Sequence, residues 1–447
     1  MNKKIILQLD NKKIAFLGLG IENLALIKFL LKKKTVGQIT VCDFKTKEAL
    51  GKSYLALAKY KKINWKLGDN ANRGLDSFDV LFRSPGWPLF DKGLVETKKM
   101  KVEVTSAGEL FFKLCPSKNI IGVTGSKGKG TTASLIFHIL RQAKKRVWLA
   151  GNIGVAPFAL LEKIKKNDWV VLELSSFQLE DLKYSPRVAV ITNFSPEHLS
   201  SADPHNPNYH YSLRDYWRAK LAIARWQKSQ DWLVVNKNLK KKIKNLKLKS
   251  KIRFFQKSDL PSKLIGEHNQ QNIAAAVAVA KILGIAEKIY QRAIASFAGL
   301  EHRLELVGKT KNIAFYNDSL ATTPEAAITA LKAFARPIIL LAGGADKGAN
   351  FKELAREIKK RVKFLVLLHG AATPRLKREV VKAKFPSNKI KLVKNMPAAV
   401  RIAKREAKDN DIILLSPACA SFGMFKNYKE RGRLFKKEVK KQFRFLR

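Results

Sequence analysis

Short apolar runs recur along the chain, each followed by a glycine or polar turn and then by a stretch whose apolar residues return at helical spacing. Lys13 to Leu19 predicts a buried strand, followed by a glycine turn and an amphipathic helix through about Lys32. Ile39 to Cys42 predicts the next strand, ending at Asp43, and Val80 to Phe82 a third, ending in Ser84-Pro85-Gly86. The pattern restarts at Asn119. Ile120 to Thr124, Val170 to Leu174 and Val188 to Thr192 predict strands, and Thr131 to Gln142 a helix. A third unit begins near Leu300, with strands at Ile338 to Ala342, Phe364 to Leu368 and Ile412 to Leu415. Buried strands alternating with helices predict parallel sheets, hence an α/β protein. Three domains are expected, at residues 1–117, 118–300 and 301–447, with no repeat at a fixed period.

Two turns carry candidate chemistry. Gly18-Leu19-Gly20-Ile21-Glu22-Asn23 begins like a dinucleotide-binding fingerprint, and Asp43 supplies an acid some twenty residues on. Asn23 stands where a third glycine is usual, so a plain tight turn is the competing reading. Gly125-Ser126-Lys127-Gly128-Lys129-Gly130-Thr131-Thr132 lies between a strand and a helix. Its small residues let backbone amides curl around a phosphate, the helix N-terminus favours an anion, and Lys129 adds a charge for the outer phosphates. The loop is shorter than a standard Walker A. Gly130 replaces the metal-binding hydroxyl, which Thr131 or Thr132 would supply instead.

Glu173 ends a strand beside this loop, a good place for a Mg²⁺ ligand. His198 follows another strand, but a lone loop histidine is more often structural than a ligand. Lys220, in a predicted helix, reads by itself as a surface lysine.

Charge alters the picture only at first sight. The chain carries 87 basic and 36 acidic residues, a net of +51, which invites a nucleic-acid reading. That excess is spread over all three expected domains. Only Lys237 to Lys251 is a dense run, and it reads as a solvated helix or loop face. Cys42, Cys115 and Cys419 are too few and too scattered for a zinc site or a disulfide framework. No apolar run is long enough for a membrane span, and the N-terminal apolar stretch is cut short by Asp10. A cytoplasmic protein is expected.

From Lys13 to about Phe435 the chain resembles the Mur ligase family. The string Glu173-Leu174-Ser175-Ser176-Phe177-Gln178-Leu179 is similar to the glutamate-adding branch. Further matching strings are Gly151-Asn152-Ile153-Gly154, Gly266-Glu267-His268-Asn269-Gln270-Gln271-Asn272, Leu300-Glu301-His302-Arg303, Asn317-Asp318-Ser319, Gly343-Gly344-Ala345-Asp346-Lys347 and Leu415 to Phe422. The resemblance implies a Rossmann-like N-terminal UDP-binding domain, a central ATPase-like domain with a mostly parallel sheet, and a Rossmann-like C-terminal domain. It implies an ATP-dependent ligase adding D-glutamate to UDP-N-acetylmuramoyl-L-alanine through an acyl phosphate, in the cytoplasmic stage of peptidoglycan precursor synthesis. ATP and Mg²⁺, at two sites, would be needed. A monomer is expected, with no specific nucleic-acid partner and no membrane association.

The resemblance also implies roles. Ile21, Glu22, Asp43, Lys45, Ser84, Asn152 and Ser175 would contact the UDP substrate. Gly125 to Thr132, Asn269, Asn272, Arg303 and Asp318 would bind ATP. Thr131, Glu173, His198 and a carbamylated Lys220 would hold metal, with Lys129, Glu173, His198 and Lys220 as the catalytic set. Lys347, Ser421 and Tyr428 would hold glutamate. Gly130, Leu320 and Gly423 depart from the usual family residues, and about ten residues are added around Ser200 to Leu213. A folylpolyglutamate synthase-like ligase is the nearest competing reading. The N-terminal unit and the Glu173–Leu179 string argue against it.

Overall fold

A computed structural model describes residues 9–34, 36–200, 207–310, 312–346 and 348–444. Each predicted strand forms, and each lies inside a sheet rather than at its edge. The first sheet has the order β3-β2-β1-β4-β5, from β1 (Ile14–Leu17), β2 (Ile39–Asp43), β3 (Ile63–Leu67), β4 (Val80–Arg83) and β5 (Glu103–Thr105). The second has the order β11-β10-β9-β6-β8-β7. Its strands are β6 (Ile120–Thr124), β7 (Val147–Gly151), β8 (Trp169–Glu173), β9 (Val188–Ile191), β10 (Trp232–Asn236) and β11 (Lys251–Phe255). All neighbours in both sheets are parallel. The third, β12-β13-β17-β14-β15-β16, uses β12 (Glu305–Thr310), β13 (Ile313–Asn317), β14 (Ile338–Ala342), β15 (Val362–Leu368), β16 (Ile390–Val393) and β17 (Ile412–Leu415). Only its β12–β13 pair is antiparallel.

The chain folds as two compact units. One runs to Leu260 and takes in Gln270–Ile294; the other joins Pro261–Asn269 to the residues from Ala295 onward. The first two sheets share a unit because one hydrophobic core serves both, from Ile14 and Phe16 through Phe111 and Phe158 to Leu172 and Leu233. In the other unit the pleat of β14 sends Ile338, Leu340 and Ala342 to one core and Ile339 and Leu341 to the opposite one. Among the described residues no helix is long and apolar enough to cross a membrane. In the basic run, the lysines at 240–242 are exposed while Leu239 and Ile243 are buried, so its charge is solvated.

Arg83, at the end of β4, is 1% exposed and couples the first sheet to the stretch beyond β8. Its guanidinium donates to Asp181 at 2.7 and 2.9 Å, to the Trp87 carbonyl at 2.8 Å and to the Phe177 carbonyl at 3.0 Å. Burial disfavours the charge, but Asp181, Glu180 and Glu22 outweigh it and raise the guanidinium above its ordinary value. Removing one member of such a pair strands the others. Arg83→Ala is therefore expected to cost about 3–5 kcal/mol. Urea unfolding monitored by circular dichroism checks this, the midpoint falling while the slope is kept.

Candidate functional site

A cleft of about 370 Å³ opens where the loops after β1, β2 and β4 face the loops after β7 and β8. Ile21, Glu22, Asp43, Lys45, Ser84, Asn152 and Ser175 all line it, so the seven residues expected at the UDP substrate come together. Asn23 explains the incomplete fingerprint. Its buried amide donates to the carbonyls of Gly18 at 2.9 Å and Phe82 at 3.1 Å, tying the turn to β4 where a third glycine would only have allowed close packing. Asp43 accepts from the amides of Leu19 at 2.7 Å and Lys45 at 2.9 Å, so it shapes the turn as well as lining the cleft. Ser175 caps the short helix Ser176–Leu179 in a reciprocal box with Gln178. Gln178, which the sequence alone did not single out, also donates to Glu22 at 2.8 Å and lines the cleft. Its place three residues after Ser175 was the available signal.

The phosphate loop lies at the carboxyl end of β6, in the same unit. Gly125 (φ +145°) and Gly128 (φ +81°) have conformations that side chains resist, and a Cβ on either would strike Thr192 or Asn272. The helix after the loop starts at Lys129, two residues earlier than expected, because Gly128 acts as its left-handed N-cap. Lys129 thereby sits in the first turn, and its Nζ donates to the carbonyls of Gly125 at 3.0 Å and Ser126 at 2.8 Å. The Ser126 and Lys127 side chains turn elsewhere. Ser126 Oγ donates to the Ser195 carbonyl at 2.9 Å, and Lys127 Nζ pairs with Glu197 at 2.8 Å. Their backbone amides are engaged as well, that of Ser126 with the Asn193 carbonyl at 3.1 Å and that of Lys127 with Asn193 Oδ1 at 2.8 Å. Gly130 and Thr131 are buried within that helix, and Thr132 Oγ1 donates to Asn272 at 3.2 Å. Asn269 and Asn272 are nearly one turn apart on the helix Glu267–Ile282.

Lys220 overturns the surface reading. It lies on the inner face of the helix Leu213–Arg225, 1% exposed, and its Nζ donates to the Gly125 carbonyl at 2.8 Å. Burial, reinforced by the charge of Lys129 and only partly opposed by Glu197, pulls its pKa down to about 6. The amine is therefore largely neutral at pH 7. Tyr216, one turn earlier, lies beneath Lys220 with its ring centroid 4.4 Å from Nζ, and its hydroxyl is 3.1 Å from Ser126 Oγ. Tyr216 was not foreseen from the sequence, although its four-residue spacing from Lys220 puts both on one helical face.

Glu173 ends β8, buried, and accepts from Asn152 at 3.4 Å. His198 has left-handed backbone (φ +59°), a sparsely populated state for such a residue, and its ring meets Phe177 edge-on. Among the described residues no three His, Cys, Asp or Glu side chains gather as a metal site. Thr131 and Glu173 offer the hard oxygen donors that magnesium prefers, and Lys220 would join them as a carbamate, which supplies oxygen in place of an amine. A buried, largely neutral amine is the form of lysine able to react with CO₂.

The remaining expected residues lie in the other unit. Asp318 is buried, accepting from Ser416 Oγ at 2.8 Å and the Leu304 amide at 3.2 Å; burial pushes its pKa up to about 7. Arg303 lies in the turn before β12. Ser421 is buried, and the Tyr428 carbonyl accepts from Ser319 Oγ at 2.8 Å. Lys347 lies outside the described residues. Arg431, unforeseen, joins the loops after β13 and β17 by donating to the carbonyls of Ser319 at 2.8 Å and Cys419 at 3.0 Å.

The chain matches the family models of the Mur ligase middle domain over residues 123–261 and of the Mur ligase glutamate ligase domain over residues 302–419. It is 36% identical to the UDP-N-acetylmuramoylalanine–D-glutamate ligase of Clostridium tetani, over 96% of this chain and 97% of that protein. It is 37% identical to the enzyme of the same name from Acetivibrio thermocellus, over 97% of each. Among solved structures, it is similar to the UDP-N-acetylmuramate–alanine ligase of Thermotoga maritima (TM-score 0.58, 18% identity, covering 97% of this chain and all of that one). It is also similar to a bifunctional folylpolyglutamate/dihydrofolate synthase from Yersinia pestis (TM-score 0.53, 17% identity, 71% of this chain and 90% of that one). The last two likenesses are of fold.

Lys220 makes a prediction of sign. Between pH 6 and the ordinary lysine value the unfolded chain holds a proton on this group that the folded chain lacks, so its contribution to stability rises with pH. Lys220→Met is expected to flatten the rise in urea midpoint between about pH 6.5 and about pH 9, inside that window. Equal slopes for the variant and the parent would contradict the assignment.

Proposed function

The chain belongs to the Mur ligase family, and from that premise we propose that it joins D-glutamate to UDP-N-acetylmuramoyl-L-alanine with cleavage of ATP to ADP and phosphate. The observation that carries this reading is the phosphate loop, with Lys129 and the buried Lys220 both bound to the Gly125 carbonyl, in the same unit as the cleft that gathers all seven expected UDP-substrate residues. The relatives at 36 and 37% identity bear that enzyme's name. In this reading residues 1–117 bind the UDP substrate, 118–300 bind ATP and 301–447 bind glutamate.

An amine cannot displace oxide from a carboxylate, so the carboxylate must first be activated. The alanyl carboxylate attacks the γ-phosphorus of ATP, giving an acyl phosphate and ADP. The glutamate amine then attacks the acyl carbon, loses a proton and expels phosphate. What the protein supplies is position and charge. The cleft holds the nucleotide sugar, and the loop amides and Lys129 offset repulsion between triphosphate and carboxylate. Asn269, Asn272, Arg303 and Asp318 take the nucleotide-binding role, and Lys347, Ser421 and Tyr428 the glutamate-binding role. Magnesium, at two sites, would be held by Thr131, Glu173, His198 and carbamylated Lys220, and would add neutralising charge at the phosphates. The enzyme works as a cytoplasmic monomer.

ADP release is expected to require both UDP-N-acetylmuramoyl-L-alanine and D-glutamate, with L-glutamate inert; ADP release independent of both would contradict the reading. Lys129→Ala is expected to lower kcat about 10²–10³-fold, the usual effect of losing one charge-stabilising donor. Lys220→Ala is expected to abolish turnover, and CO₂-free buffer to lower the parent's rate, recovered on adding bicarbonate. Steady-state coupled assays of ADP formation check all three.

A further inference from the structure

The stretch between His198 and Lys220, expected to be longer than in the family, is not absorbed by the proposed mechanism, yet its described residues from Pro207 on are held by specific contacts. Pro207 lines the cleft. Asn208 is buried and donates to the Pro85 carbonyl at 2.7 Å, in the loop after β4. Tyr209 and Tyr211 cluster with Phe90, their ring centroids 4.9 and 4.8 Å from it and 5.4 Å from each other. His210, 3% exposed, turns the other way. Its Nδ1 is 3.2 Å from a Glu180 carboxylate oxygen, and its Nε2 is 2.9 Å from Ser176 Oγ. Its ring lies flat on Phe177 at 4.7 Å, with 5° between the planes. Both ring nitrogens therefore face polar groups of the turn after β8, Nε2 in a hydrogen bond with Ser176 and Nδ1 beside the Glu180 carboxylate.

The segment thus spans the two sides of the cleft, touching the loop after β4 on one and the short helix after β8 on the other. That helix carries Ser175 at its cap and Gln178 in its first turn, and Gln178 in turn holds Glu22. All three line the cleft. His210 grips the same turn through Ser176 and Phe177, one residue from each of the two cleft-lining side chains.

We infer that His210 is a positioning residue for the UDP-linked sugar acid, holding the Ser175–Gln178 turn in place, and that Pro207–Tyr211 is a strap that completes the cleft wall. The inference rests on the proposed function for the identity of the ligand. Its geometry concerns neither ATP nor the incoming amino acid, so its signature is selective. His210→Ala is expected to raise the KM for UDP-N-acetylmuramoyl-L-alanine roughly tenfold, leaving kcat and the KM for ATP and D-glutamate within about twofold. His210→Gln, whose amide again offers a donor and an acceptor, is expected to recover part of the loss. Asn208→Ala, which cuts only the hydrogen bond to Pro85, is expected to raise the same KM about threefold. It keeps the test open if His210→Ala does not fold. An unchanged KM for the UDP substrate in folded variants, or a parallel change in all three KM values, overturns the inference while the parent's activity leaves the function standing. A parent that releases no ADP with these substrates contradicts the function, and this inference with it.

Discussion

Two lysine side chains, Lys129 and Lys220, donate to one backbone carbonyl, that of Gly125. Two ammonium groups so close in a buried setting repel. The fold meets this constraint by leaving Lys220 mostly neutral and by placing Lys129 at the loop's mouth, where an anion can approach. Much of the nearby structure serves the same point. Gly125 and Gly128 give the loop its path, Tyr216 underlies Lys220, and Ser126 and Lys127 are drawn off towards residues 193–197. A site that keeps the charge of Lys129 on a glycine-rich loop is suited to a triphosphate and an attacking carboxylate, both of which are anions needing to approach one another.

The parts of the fold legible in the sequence share a physical property. The nine strands read from apolar runs are all interior strands, covered on both faces and therefore continuously apolar. Of the six edge strands that went unread, β3, β5, β11, β12 and β16 carry charged residues, because an edge needs no apolar run, whereas β7 was missed although it is apolar throughout. Ile390-Lys391-Leu392-Val393 and Lys251-Ile252-Arg253-Phe254-Phe255 are half solvated and carry charges that discourage pairing with another chain. The interior strands β10 and β13 were missed despite apolar sequences. The site divides in the same way. Glycine spacing and strand ends revealed the two loops, since backbone geometry demands those residues. Asn23, Arg83, Gln178, Tyr216 and Arg431 stayed hidden, because a buried polar residue declares itself only through partners far away in sequence. The burial of Lys220 went unseen from the residues alone for that reason.

The net charge of +51 gains only a partial explanation. Lys129 and Lys45 are placed in or beside the loop and the cleft, where positive potential would draw in anionic substrates. Many other lysines, such as those at 240–242, are exposed on short surface helices and touch neither feature. The excess belongs to the surface more than to the chemistry.

Activation of a substrate carboxylate by ATP is the central chemical claim, and oxygen transfer tests it most directly. UDP-N-acetylmuramoyl-L-alanine labelled with ¹⁸O in its alanyl carboxylate would be turned over with ATP and D-glutamate, and the released phosphate analysed by mass spectrometry. One labelled oxygen carried from the carboxylate into the phosphate is the predicted result. Phosphate free of label would contradict an acyl phosphate, and with it the role assigned to the phosphate loop and its two lysines.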